Sequence, residues 1–139
     1  MKKVIIKIRG TQGSSRDSET IEFTTEGVMR KDGNDYILSY SEGEIIGGAH
    51  IKTRLTAKGN SVILERTGDL SSKLIIEKGI RNSCFYSVPQ GELTLGIYGT
   101  KIDNRLTDKG GKLEMTYTVD TNLQPLSENS VDITVSEVE

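Results

Sequence analysis

Apolar and polar residues alternate with a period of two along nearly the whole chain, and no stretch sustains a helical period. In "KVIIKIR", Val4, Ile6 and Ile8 share one face while Lys3, Lys7 and Arg9 share the other. Successive side chains of a strand point to opposite faces, so such a segment is suited to rest one face on a core and turn the other to water. "TIEFTT" sets Ile21 and Phe23 against Glu22 and Thr24, and the arm ending in "YILSYSE" puts Tyr36, Leu38, Tyr40 and Glu42 on one face. In "HIKTRL", Ile51, Thr53 and Leu55 oppose His50, Lys52 and Arg54. The following arm carries Val62, Leu64 and Arg66 on one side and Ile63, Glu65 and Thr67 on the other. "SKLIIEKG", "NSCFYSV", "GELTLGIYGTKI", "GKLEMTYTV" and "SVDITVS" continue the pattern.

Turn signals separate the arms. Asp32-Gly33-Asn34 and Lys58-Gly59-Asn60 tolerate positive φ, and "VPQGE" stands between two later arms. Only "NRLTDKG" and "TNLQPLSEN" lack a strand pattern, and the first has room for one helical turn. About ten short strands joined in series make a meander, which leaves two unpaired edges unless it curls closed. The ends of the chain favour closure. Residues 1–9 hold Lys2, Lys3, Lys7 and Arg9 and no acid, whereas residues 126–139 hold Glu128, Asp132, Glu137 and Glu139 and no base. Val4, Ile6 and Ile8 match Val131, Ile133 and Val135 in phase, so the first and last strands are expected to lie side by side. The expected fold is all-β, a single closed or nearly closed antiparallel meander barrel of about 8–10 strands. It is expected to take up residues 1–139 as one domain, a usual size for one core.

Composition excludes several classes of function. With 18 basic and 20 acidic residues the net charge is −2, which leaves no electrostatic footprint for nucleic acid. A single cysteine, Cys84, rules out an intramolecular disulfide and a cysteine-rich metal site. No run approaches the roughly 18 apolar residues of a spanning helix, and Lys7 and Arg9 interrupt the start as a signal peptide. A cytoplasmic protein with no membrane partner is the expectation.

No catalytic set emerges. Cys84 sits mid-strand, where a small buried thiol is the ordinary outcome, and His50 reads as a solvated residue at a strand start. Asp32, Asn34 and Asp35 lack the further oxygen ligands of a calcium loop, and "KGGK" lacks the P-loop spacing. Lys52 and Arg54 could join Lys101 or Arg105 along a phosphate backbone, but no aromatic accompanies them for base stacking. The chain is read as non-enzymatic, with no cofactor and no metal.

Five short motifs add a resemblance that spans nearly the whole chain. "IEFTTEG" (Ile21 to Gly27), "YSE" (Tyr40 to Glu42), "RTG" (Arg66 to Gly68), "YSVPQG" (Tyr86 to Gly91) and the alternating "ELTLGIYGTK" occur in an order and spacing that resemble the YwiB-like family. The resemblance implies a calycin-type, lipocalin-like barrel from a family of small bacterial proteins with no assigned activity. One departure stands out. A threonine and an aromatic residue tend to stand in that family where this chain has Val88 and Gln90, which alters any ligand contacts made there.

Two functional readings follow. Glu42 and Arg66 fall on apolar phases, so two charges are expected to point inward near strand ends and to approach each other. They form either a rim salt bridge, with the arginine stem lying on apolar surface, or a site where Arg66 receives an anionic or polar ligand group. By analogy with calycin barrels, a binding module would hold one small ligand in the lumen or mouth, through Tyr40, Glu42, Arg66, Tyr86 and Tyr117. Leu38, Leu64, Leu95 and Met115 complete the expected inward set. The rival is a packed barrel acting as a structural or interaction module, a homodimer through an outer face bearing Ile37, Ile63 and Phe85. Gly43 to Gly48 is expected to form an exposed loop at the barrel mouth.

Overall fold

A computed structural model of the chain describes residues 2–13, 18–41, 51–68, 71–88, 91–121 and 124–138, without the side chains of 86–88, 92 and 125. The alternating segments become ten strands: β1 (Lys2–Gly13), β2 (Ser18–Asp32), β3 (Asp35–Ser41), β4 (Ile51–Lys58) and β5 (Ser61–Gly68), then β6 (Ser72–Glu77), β7 (Arg81–Val88), β8 (Gly91–Thr107), β9 (Gly110–Thr121) and β10 (Gln124–Glu137). Each pairs antiparallel with the next, and β1 pairs with β10 to close the barrel.

The seam has the register that the alternation predicts. Ile6 stands opposite Val135 and Ile8 opposite Ile133, with Gly10 opposite Val131. Val4, Ile6, Ile133 and Val135 are buried, and Lys2 Nζ meets Glu137 at 2.7 Å on the outer end of the same seam. Inward faces of all ten strands fill the lower barrel with Val4, Ile6, Leu38, Leu55, Val62, Ile76, Ile97, Leu113 and their neighbours. Burying each such side chain contributes about 1.5–3 kcal/mol, so this apolar layer holds the sheet in its curl.

The two ends of the barrel differ. At the lower end, tight turns at Gly33-Asn34 and Gly59-Asn60 join strands through glycines with φ of 63° and 60°. The β8–β9 turn reaches across β10 and β1 toward β2 and β3. Tyr36 donates its hydroxyl to Asp108 Oδ1 at 2.8 Å, Lys31 Nζ stands 3.5 Å from the same oxygen, and Lys2 donates to the Asp108 carbonyl. At the upper end the strands stop at Gly13, Ser41, Gly68, Val88 and Thr121.

Three expectations need correcting. "NRLTDKG" holds no helical turn, because β8 continues to Thr107 with Leu106 buried inside. A register shift between Gly99 and Lys101 changes the parity of β8, so inward residues are Leu95, Ile97 and Gly99 before it and Ile102 and Leu106 after it. "TNLQPLSEN" is also largely strand. Thr121 ends β9, and β10 begins at Gln124 with an irregularity between Pro125 and Ser127, the kind of place where a sheet tolerates proline. Finally, Ile37 lies on an outward row between Arg30 and Thr56 and is nevertheless only 8% exposed. Ile63 is half-buried, whereas Phe85, on a different cross-strand row, is 64% exposed.

Gly27 falls inside β2, which runs through it unbroken, because the lumen is crowded there. A Cβ at this position would lie 2.6 Å from the Ser39 carbonyl oxygen and 2.7 Å from Ile6 Cδ1. Gly27→Ala should therefore destabilise the barrel by about 1–3 kcal/mol through overpacking, read as a lower urea midpoint with an unchanged slope.

The lower-end turn also predicts a pH dependence. The Tyr36 hydrogen bond, and then the Lys31 charge, hold the Asp108 carboxyl below its usual range. A depressed native value means that this contribution is complete above the unfolded carboxylate value of about 3.9. It is lost as pH falls through the lower native value. Asp108→Asn should lower the melting temperature at pH 7, and the gap from the parent should close in scans carried out progressively below about pH 4.

Candidate ligand site

One cross-strand row in the upper barrel departs from the apolar filling below it. Tyr40 on β3 is opposite Thr53 on β4, Thr53 is opposite Arg66 on β5, Arg66 is opposite Ser72 on β6, and Ser72 is opposite Tyr86 on β7. Leu93 on β8 continues the row. The first five positions share the inward phase of buried residues two places away, namely Leu38, Leu55, Leu64, Leu74 and Cys84, whereas Leu93 is exposed. Three residues expected at the site, Tyr40, Arg66 and Tyr86, therefore belong to a single row.

The hydroxyls of this row set it apart. Thr53 is 2% exposed, and neither its Oγ1 nor the Oγ of Ser72 has a hydrogen-bond partner. Leaving a buried hydroxyl unsatisfied costs about 1–3 kcal/mol, and native interiors contain few such groups. Both flank Arg66. Tyr40 packs its ring 6.4 Å from that of Phe23, inclined at 50°.

Tyr117 enters from the facing wall, on β9 opposite Asn129 of β10. Burial pushes its phenol up, and the positive charge of Arg66 acts in the opposite direction, so the two groups sense each other within the barrel. Beside Tyr117, a recess of about 120 Å³ opens between Gly10, Gln12, Ile21, Asn129 and Val131, with Glu19 at its rim. The upper walls thus differ in character. β4 to β6 present Thr53, Arg66 and Ser72, while the partly buried Ile8, Phe23, Leu95, Val119 and Val131 pack on the core around the rest of the circumference.

The other expected residues are placed as follows. Leu38, Leu64 and Met115 are buried in the core, and Leu95 and Tyr117 pack against it. Glu42, its approach to Arg66, His50 and the loop from Gly43 to Gly48 all lie outside the described residues, as does the Tyr86 side chain. Cys84 is buried, and desolvation raises its thiol above the ordinary value, so it is a poor nucleophile. Lys52 and Arg54 face outward along a shallow groove of about 470 Å³, where Arg54 pairs with Glu65 at 3.1 Å. Lys101 pairs with Glu114 at 3.3 Å, and Arg105 pairs with Asp103 at 2.9 Å. Among the described residues, no group of three or more His, Cys, Asp or Glu side chains comes together as a metal site would require. Thr53 and Ser72 are the residues that the sequence reading missed. The signal for Thr53 was a hydroxyl on the same phase as Ile51 and Leu55.

A family model described as Domain of unknown function (DUF1934) matches residues 6–133. The chain belongs to the DUF1934 family. Among solved structures, this DUF1934 barrel is similar to the ywiB protein from Bacillus subtilis, with a TM-score of 0.87 at 21% identity, over 99% of this chain and 93% of that one. Likeness at that identity shows a shared fold and assigns no activity. No curated protein matches the chain.

The unpartnered hydroxyls give a direct test of the row in the ligand-free protein. Thr53→Val replaces a buried oxygen by a methyl group of nearly the same shape. It should stabilise the DUF1934 barrel by about 1–2 kcal/mol in urea unfolding. Destabilisation would show that the oxygen is already satisfied.

Proposed function

We propose that this protein is a non-enzymatic binding module that takes one small ligand in its upper lumen. The observation that carries the reading is the pair of buried, unpartnered hydroxyls of Thr53 and Ser72 on either side of Arg66. Binding sites bring a few polar groups together within a concavity, and Thr53, Arg66 and Ser72 converge in this way on neighbouring strands. The packed lower half serves as the rigid scaffold. A purely structural or interaction role would draw on that packing and on the exposed Phe85. It leaves the two hydroxyls unexplained. Among the described residues no helix is long and apolar enough to cross a membrane, and a cytoplasmic place of work remains part of the proposal.

Native mass spectrometry of protein purified from its own host, without denaturation, tests this reading. A retained mass of small-molecule size should accompany the parent chain and be depleted in Thr53→Val. A bare chain in every preparation, together with no binding from a small-molecule extract of the same host, would count against it.

A further inference from the structure

We infer that the barrel has a side gate: β6 and β7 part at their upper ends while the rest of the sheet stays paired, and the opening uncovers the Ser72 hydroxyl. The gate is a property of the wall itself and goes beyond the ligand reading, to which it adds a route.

The ladder is thinnest at this seam. Among the described residues, β6 and β7 pair in register at two positions, Ser72 with Tyr86 and Lys73 with Phe85, whereas every other seam is paired at six or more. Below those two positions, side chains stand in for backbone. Ile75 donates its N–H to Cys84 Sγ at 3.3 Å, and its carbonyl accepts from Asn82 Nδ2 at 3.4 Å. Sulfur is a weak acceptor, and 3.4 Å is long for an N–H···O bond. Asn82 also divides its amide, donating to Glu77 Oε1 at 3.1 Å. Weak substitutes therefore hold both backbone groups of Ile75.

The lower end of the same seam is pinned. Ile80 donates its N–H to the Glu77 carbonyl at 3.2 Å, which closes the turn. Lys78 donates to the Asn60 carbonyl at 3.1 Å and Gly79 to the Gly99 carbonyl at 2.8 Å, so the turn is tied to the β4–β5 turn on one side and to β8 on the other. That anchored turn is the hinge, and the free movement lies above it. Because β1 and β10 are joined, parting β6 from β7 leaves one continuous open sheet and breaks no other ladder. Sub-global openings of native proteins follow the elements with the weakest local bonding. Ser72 stands at the upper end of β6 with its Oγ buried, so a molecule bound for that oxygen needs the wall to move. The seam beside it is the one held most weakly.

Cys84 reports the motion, since it is the single cysteine, lies on this seam and is 3% exposed. Its labelling by iodoacetamide at pH 8, across urea concentrations below the unfolding transition, tests the gate. The rate without urea should exceed by about tenfold or more the rate that global unfolding permits, and should depend little on urea because a local opening exposes little surface. Native-state amide exchange should show Ile75 exchanging through the same shallow opening, while amides of the β1–β10 and β7–β8 seams wait for global unfolding. Asn82→Ala should speed labelling several-fold, whereas Asp108→Asn, which loosens the barrel away from this seam, should leave the urea-free rate unchanged. If Asn82→Ala fails to fold, the urea dependence in the parent and Asp108→Asn decides alone. Labelling at the global rate with the full urea slope would overturn the gate, as would acceleration by Asp108→Asn in proportion to its lost stability. Amides of β8 that exchange as fast as that of Ile75 would place the opening elsewhere and overturn it too. None of these outcomes bears on whether a small molecule is retained in the native preparation, so the gate and the ligand reading fail separately.

Discussion

Every feature of this barrel depends on one requirement, that a ten-strand antiparallel sheet must find partners for its outermost strands. The pairing of β1 with β10 meets it, because each contributes the backbone groups that the other would leave exposed. Side chains on the inward phase specify that pairing. Ile6 with Val135 and Ile8 with Ile133 fix the inner face, while Lys2 with Glu137 ties the outer end. A slip of one residue would turn the apolar set of one of the two strands toward water. Closure and register are therefore one decision, and the interior exists because it is made correctly.

Once closed, the barrel divides its work along its axis. Below, the lumen is filled by branched aliphatic side chains, and the Asp108 turn lies across the end. Above, filling gives way to a row in which polar atoms replace methyl groups on the same strands and at the same phase. That placement has a physical logic. Polar atoms are tolerable where the strands approach an end, whereas the same groups two residues lower would face a dry, close-packed core. The rigid lower half also holds the upper row in fixed register, so Arg66 sits between two hydroxyls by virtue of backbone pairing alone.

How much of this was legible in the chain follows from what period-two patterns encode. Alternation in "KVIIKIR" and "HIKTRL", with glycine turns at 33 and 59, is enough to predict a meander and which faces point inward. The segments after Lys101 and around Pro125 were misread because an irregularity inverts phase without changing composition. The reason for Gly27 is steric, and only the assembled lumen shows Ile6 and the Ser39 carbonyl where its side chain would stand. Arg66 was recognisable as a charge on an apolar phase. Thr53 and Ser72 were not, since an unsatisfied hydroxyl is defined by the partners it lacks, and partners belong to the folded structure.

The seam has a further consequence, for the order in which the chain can assemble. Lys2 and Glu137 are 135 positions apart, whereas the hairpins elsewhere close over a few residues. Loop-closure entropy grows with the logarithm of length, which places the seam about 3 kcal/mol above a four-residue hairpin before any contact is gained. Hairpins therefore form first, and an open, curling sheet precedes the barrel. On the ribosome β1 emerges first and must wait for β10, its neighbour in the finished wall, with its backbone unpaired on one side for the whole of that interval. The row of basic side chains Lys3, Lys7 and Arg9 on its outward face is suited to that wait, because charge along a bare edge discourages a second chain from pairing there.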